Sequence, residues 1–255
     1  LALQKDPQFV IRKFHLQVDT ASWRGGSDST RVVLGKDSVD VDHLVVRSGR
    51  QQIGIDGRYR SRGQENMHVW VKQLDVGQWA GLTRFPHRFS GTLNARFGLE
   101  GTASQPILEG SLDVEHPGLD TVRLKHLHAG FRYDSSVFSL EGHVDAGVNR
   151  MVFTRARLPL KFSLTDSLVM PGEETPIEAS LLVDSLDAAM INPFLEDQGM
   201  EVQGRIEASL DITHTLGEPI FSGELHYAGG TFDYPAEGIG YHHISFDSRF
   251  TNRRL

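Results

Sequence analysis

Residues 204–212, Gly204-Arg205-Ile206-Glu207-Ala208-Ser209-Leu210-Asp211-Ile212, carry an apolar side chain at every second position from Ile206 and a polar or charged one between. A period of two belongs to an extended strand, whose successive side chains leave opposite faces, so this stretch predicts a strand with one apolar and one polar face. The same alternation recurs outward along the chain. It runs through Phe14, Leu16 and Val18; Ile53, Ile55 and Tyr59; Met67, Val69 and Val71; and Leu93, Ala95, Phe97 and Leu99. It continues through Leu127, Ala129, Phe131 and Tyr133; Phe138, Leu140 and Val144; Leu158, Leu160, Phe162 and Leu164; Ile177, Ala179, Leu181 and Val183; and Ile244, Phe246 and Phe250. Gly, Asp, Asn and Pro turn signals separate the runs at strand-length spacing. Helical patterning is confined to residues 75–82 and 187–195, each opened by an Asp able to cap a first turn. Without crossover helices a parallel α/β architecture is disfavoured, and the expectation is an all-β, elongated antiparallel sheet with one or two very short helices.

The chain also repeats itself. Residues 91–112 align with residues 204–225 at a constant offset of 113, with seven identities in 22 positions: Gly91/Gly204, Ala95/Ala208, Thr102/Thr215, Pro106/Pro219, Ile107/Ile220, Gly110/Gly223 and Leu112/Leu225. Chance would supply about one or two. Upstream, Leu74-Asp75 and Leu186-Asp187 precede the aligned glycines by 17 and 18 residues. Farther upstream, Ile53-x-Ile55-x-Gly57-x-Tyr59 matches Phe138-x-Leu140-x-Gly142-x-Val144, the second copy carrying 27 extra residues; downstream, Leu127-x-Ala129-x-Phe131 matches Ile244-x-Phe246. The expected organisation is leading strands over 1–48, a first β unit over 49–136 and a second over 137–255, with no flexible linker. Units that each complete a neighbour's sheet build a ribbon or solenoid, and roughly 16–20 strands at about 4.8 Å would stack to roughly 75–95 Å.

Composition removes several function classes. The net charge of −7 and the scattering of 26 Lys and Arg residues leave no basic stripe for phosphates, so nucleic acid is not an expected partner. The lack of cysteine excludes disulfides, thiolate metal sites and a thiol nucleophile. No leader-like segment opens the chain and no apolar run approaches 18 residues, which leads us to expect an excerpt of a longer protein whose targeting and anchoring segments lie outside it.

Three clusters invite sharper readings. His126-x-His128 and His242-His243 have ligating side chains, but the first pair alternates with Leu127 and Ala129, which reads as a solvated strand face. Asp40-x-Asp42-His43 lacks the glycine and distant Glu of a calcium loop and alternates with Val39 and Val41. Arg24-Gly25-Gly26-Ser27 lacks the Lys-Ser/Thr pair of a phosphate-cradling loop and reads as a turn. Neither a Gly-x-Ser-x-Gly elbow nor a His-Glu-x-x-His pair occurs. The expectation is no enzyme, no cofactor and no metal.

The segment 204–212, followed by Thr215-x-x-x-Pro219-Ile220-x-x-Gly223-x-Leu225, Gly229-Gly230-Thr231-Phe232 and Gly238-Ile239-Gly240-Tyr241, resembles the repeated pattern of the TamB/AsmA-like superfamily. Residues 157–164 and 186–195 are similar to that family's recurrent strand and short helix, and the likeness covers most of residues 50–250. It implies a sheet curled lengthwise into an open apolar trough, the β-taco. It further implies a periplasmic protein with an inner-membrane anchor outside this chain. Its role would be to carry phospholipid acyl chains between inner and outer membranes and to support outer-membrane biogenesis, with an outer-membrane barrel protein of the TamA type as a partner through regions outside this chain. Under this reading the groove is lined by Leu93, Phe97, Leu99, Leu112, Phe131, Phe138, Leu140, Leu160, Phe162, Leu181, Ile206, Leu210, Phe221, Leu225 and Phe246. The competing expectations are a structural β-solenoid stalk or surface fibre, whose interior would be filled by its own side chains, and a scaffold for outer-membrane protein assembly without lipid carriage.

Overall fold

The computed structural model describes residues 8–9, 13–18, 21–25, 30–80, 88–120, 122–145, 152–164, 171–195 and 198–254. Among these residues seventeen strands join in one sheet, every pairing antiparallel. They are β1 (Gln8–Phe9), β2 (Phe14–Val18), β3 (Ala21–Gly25), β4 (Arg31–Leu34), β5 (Ser38–Ser48) and β6 (Gln51–Arg60). Next come β7 (Gln64–Asp75), β8 (Phe89–Thr102), β9 (Gln105–Leu119), β10 (Val122–Arg123), β11 (His126–Asp134) and β12 (Val137–Asp145). The last are β13 (Val152–Pro159), β14 (Glu178–Asp187), β15 (Glu201–His214), β16 (Pro219–Tyr234) and β17 (Ile239–Arg254). Two short helices interrupt them, α1 (Val76–Ala80) after β7 and α2 (Asn192–Leu195), which follows a 3-10 turn at Ala188–Ile191.

From β5 onward the sheet is a meander in which each long strand pairs with the next. At its leading edge β3 and β4 lie end to end along β5, and β2 and β1 extend them. In the same way β10 and β11 share the edge of β9. The stack is therefore fourteen strands deep, β2, β3, β5 to β9 and β11 to β17. At about 4.8 Å per strand that is roughly 60 Å, shorter than strand counting alone predicts, because edge-sharing strands add no height. The unit boundaries expected near 48 and 136 fall in tight hairpin turns of a continuous sheet. Ser135 and Ser136, both at positive φ, form the two-residue turn between β11 and β12.

Bulges keep one face apolar. In β5, β7 and β14 the apolar phase shifts by one residue, from Val41 to Leu44, Val71 to Leu74 and Val183 to Leu186, and the ladder slips at each of these places. An extra residue in one strand reverses which parity faces which side, so the sequence phase and the slip cancel. Two of these bulges carry the repeated Leu-Asp. In both copies the Asp caps the following turn: Asp75 Oδ1 accepts the Gly77 N–H and Asp187 Oδ1 the Ala189 N–H, each at 2.9 Å. The aligned Gly91 and Gly204 each sit at a slip with the following strand, at φ 131° and 132°, where an added Cβ would meet atoms within 2.8 Å.

The upstream extension of the repeat does not hold strand for strand. Two pairings separate β6 from β8, so they run in the same direction; three separate β12 from β15, so they run oppositely. The place of β6 in the second copy is therefore taken by β13. The extra residues contain one added strand, and an odd insertion in a meander reverses everything before it. Downstream, register pairs both Gly110 with Phe131 and Gly223 with Phe250, so the counterpart of Phe131 is Phe250 rather than Phe246.

The expected strand through residues 158–164 also breaks. β13 ends at Pro159, and the chain then turns across the strand ends: Leu160 N–H donates to Ser136 O (2.9 Å), Phe162 N–H to the Tyr133 hydroxyl (3.0 Å) and Leu164 N–H to Ala103 O (2.8 Å). The Tyr133 hydroxyl returns a bond to Phe162 O at 3.2 Å. Proline ends the ladder because it has no N–H to donate.

No second layer covers this sheet among the described residues. The total accessible surface is 17117 Å², against about 11,000 Å² for a compact chain of 28.4 kDa. From Glu201 to Thr213 in β15 the residues alternate between exposed and half-buried, and none of Ile206, Ala208, Leu210 and Ile212 reaches full burial. A sheet with a packed inner face would bury that set almost completely.

Candidate functional site: an uncovered apolar face

Residues directly opposite one another in a ladder share a face, so register traces what the face is made of. One row crosses eleven strands as Leu44, Ile55, Val69, Phe97, Gly110, Phe131, Leu140, Ala156, Ala179, Ile212 and Phe221. The row beside it reads Val46, Ile53, Val71, Ala95, Leu112, Ala129, Gly142, Thr154, Leu181, Leu210, Gly223 and Phe250. Thr154 is the one polar side chain in the two rows.

Thirteen of the fifteen residues expected to line a groove lie on this face. Phe97, Phe131, Leu140 and Phe221 belong to the first row, and Leu112, Leu181 and Leu210 to the second. Leu99 and Phe138 share a row with Leu108 and Tyr133 on one side. On the other side, Leu93 sits opposite Leu74, Leu225 opposite Ala208, and Ile206 opposite Leu186 and Tyr227, with Phe246 beyond. Leu160 and Phe162 are the exceptions. They ride on the crossing segment, where the Phe162 ring meets Tyr133 edge-on at 5.8 Å.

The face is shaped by aromatics around a glycine. Phe97 and Phe131 flank Gly110 with ring centroids 5.9 Å apart, and Phe138 continues the series at 6.1 Å from Phe131. A Cβ on Gly110 would lie 2.6 Å from the Phe131 ring and 2.8 Å from Phe97, so only glycine lets both rings fold inward over its strand. Its two rims are built differently. At one, α1 brings Trp79 edge-on against Trp23 (5.7 Å), which is 2% exposed, while the Asn192 amide clasps both backbone groups of Val202 at 2.9 and 3.1 Å. At the other runs the crossing segment 160–164. Sequence periodicity missed Trp23, Trp79, Tyr133 and Asn192 as rim builders. Tyr133 alone had a signal, its place in an apolar phase.

The opposite face is charged. Trp70, Arg96, Ser111, Gly130, Glu141, Arg155, Ser180, Asp211 and Ser222 form its central row. Hollows open here, one of about 580 Å³ among His68, Trp70, Lys72, Arg96, Glu109 and Arg132 and another of about 610 Å³ among Asp184, Glu207, Glu224, His226 and Arg249. Two of their arginines are paired with carboxylates: Arg132 binds Glu109 (2.5 Å) and Asp134 (3.0 Å), and Arg249 binds Glu224 (2.6 Å). The Arg132 hydrogen bond holds Asp134 below the ordinary carboxylate range.

Of the clusters weighed from sequence, Asp40 is engaged by Arg58 and Asp42 by His43. His43 occupies the β5 bulge at φ 51°, where its N–H donates to Asp56 Oδ2 at 3.0 Å. Its ring is raised above the ordinary imidazole range by the hydrogen bond to Asp42. Asp42, His43 and Asp56 have ligating atoms within 4.8 Å of one another, all on exposed residues. Gly26 and Ser27, and the tail of the first helical stretch past residue 80, lie outside the described residues. No family model, no curated protein and no solved structure matches this chain.

Proposed function

We propose that this chain is part of a periplasmic lipid carrier whose apolar sheet face holds phospholipid acyl chains on their way between inner and outer membranes. The observation that supports it is the apolar face, whose two central rows run from β5 to β16 with Thr154 as their one polar side chain and without a covering layer among the described residues. Such a face is costly in water unless something apolar occupies it. Acyl chains suit it, since each methylene removed from water contributes about 0.8 kcal/mol without directional contacts, while a headgroup stays in solvent at a rim. The placement between two membranes, and the link to outer-membrane biogenesis, rest on the resemblance of residues 50–250 to the TamB/AsmA-like pattern. A filled β-solenoid fits less well, because its interior would be closed by its own side chains.

A photo-crosslinker at Leu210, Phe221 or Phe246 is expected to capture phospholipid in cells, and one at Glu207 or Asp211 is not. Equal labelling on both faces, or none on either, would refute carriage. Capture of outer-membrane protein in place of lipid would favour the assembly-scaffold reading.

A further inference from the structure

We infer that the rim crossed by residues 160–164 holds the phosphate of a phospholipid headgroup, in a hollow of about 780 Å³ whose lining carries one cation, Lys161. The inference rests on the acyl-chain reading of the apolar face and gives it an end, with tails along the sheet and the headgroup at this rim. Three stretches of chain enclose the hollow. Gln105 opens β9, Ser136 belongs to the turn between β11 and β12, and Lys161 and Phe162 lie on the crossing segment. That segment is pinned in place by Leu160 N–H on Ser136 O, Phe162 N–H on the Tyr133 hydroxyl, and both Leu164 N–H and Ser163 Oγ on Ala103 O. The floor beneath it is fixed, because Ala103, Pro106 and Tyr133 are each buried.

The lining passes from apolar to polar. Tyr133 is at once a wall of the hollow and a member of the apolar face, where it stands opposite Leu108 and Phe138. Beyond it come the Lys161 ammonium, the Gln105 amide and the Ser136 hydroxyl, and none of these three side chains has a hydrogen-bond or ion-pair partner among the described residues. Ser104 adds a hydroxyl shared with Thr102 Oγ1 at 3.3 Å. An ammonium has three donors and no acceptor, and an amide and a hydroxyl also donate. Unpaired donors beside an apolar wall suit a group that accepts hydrogen bonds and carries negative charge, and a phosphodiester does both. The one carboxylate of the lining, Asp134, does not oppose it with a full charge, because Arg132 at 3.0 Å and Ser135 Oγ at 3.0 Å already engage its oxygens. The volume is in the range of small-molecule sites, about 300–1,000 Å³. Acyl chains leaving the hollow past Tyr133 meet Phe138 and then Phe131, whose rings are 6.1 Å apart. Lys72 and Arg96 border a hollow on the opposite face, the wrong side of the sheet for a lipid whose tails follow the apolar rows.

The test is calorimetric titration of the purified chain with three probes. They are dihexanoylphosphatidylglycerol below its micelle concentration, dihexanoylglycerol, which has the same tails and no phosphate, and inorganic phosphate. The phospholipid is expected to bind more tightly than the diacylglycerol, and inorganic phosphate is expected to give no measurable binding. Lys161→Ala should weaken the phospholipid by about tenfold, the worth of one charged hydrogen bond, and leave the diacylglycerol unchanged. Lys161→Arg should restore most of the loss, and added salt should narrow the gap between wild type and Lys161→Ala. Lys72→Ala, on the opposite face, should change nothing. If both lipids bind equally, or if Lys161→Ala leaves the phospholipid unaffected, the headgroup site is overturned while acyl-chain carriage stands. If inorganic phosphate binds with the same dependence on Lys161, the ligand is free phosphate and the lipid assignment is overturned. If neither lipid binds, the acyl-chain reading falls and this inference falls with it.

Discussion

Replacing Leu210 by Arg separates an uncovered face from a packed core. Leu210 lies in mid-strand between Leu181 and Gly223, in a β15 whose apolar residues stay half-buried. Full burial of a leucine side chain is worth about 1.5–3 kcal/mol, so a half-exposed one contributes about 1 kcal/mol. The arginine stem recovers part of that by lying along Leu181, with its guanidinium in water. The expected loss of stability is about 1 kcal/mol, read as a shift of the urea midpoint by circular dichroism. In a closed core the same substitution would bury an unpaired charge and cost well over 4 kcal/mol. The effect on cargo runs the other way. An acyl chain on an open face is desolvated on one side, about 0.4 kcal/mol per methylene, so a charge displacing five methylenes weakens lipid binding by about 2 kcal/mol, or about 30-fold. Retention of a fluorescent phospholipid by wild type, Leu210→Arg and the polar-face control Asp211→Arg measures this. A loss of several kcal/mol in stability would mean that the face is covered, and unchanged lipid retention in a folded Leu210→Arg would take the acyl path off this row.

Other outcomes follow from the rims, the repeat and the polar face. Tyr133→Phe removes the hydroxyl that both accepts from and donates to Phe162, at 3.0 and 3.2 Å, and should cost about 1–2 kcal/mol. Hydrogen exchange at the Phe162 amide should then accelerate more than exchange within β11. Gly91→Ala and Gly204→Ala should each lower stability by about 2–3 kcal/mol, because both add strain at positive φ and a Cβ contact at 2.8 Å; thermal unfolding compares them with Gly172→Ala, which has open space. His226 is raised above its ordinary 6.5 first by the hydrogen bond from its ring to Asp247, at 2.5 Å. Its contribution to stability is therefore fully present below the unfolded pKa and is lost as pH rises through the folded one. NMR titration should show the elevated midpoint, and Asp247→Asn should return it toward 6.5.

Period-two alternation was legible because a strand's side chains obey it before any partner is chosen. It assigned thirteen groove candidates to one face, and the Leu-Asp repeat marked both short helical caps. Leu160 and Phe162 were misplaced because alternation does not say where a ladder stops; Pro159 and the hydroxyl of Tyr133 decide that. The upstream repeat failed because strand direction depends on how many strands intervene, and residues compared one against another do not record that number.

What the sequence determined by itself was therefore the composition of each face, all-β and two-sided, since that is local. Tertiary structure decided which residues from distant strands stand side by side. The apolar rows become a continuous surface only through register. His143 comes opposite His128 only because a two-residue turn at Ser135 and Ser136 folds β12 back on β11. Whether the apolar face is covered is likewise a property of the assembled sheet, because alternation predicts an apolar side equally well with a second layer and without one.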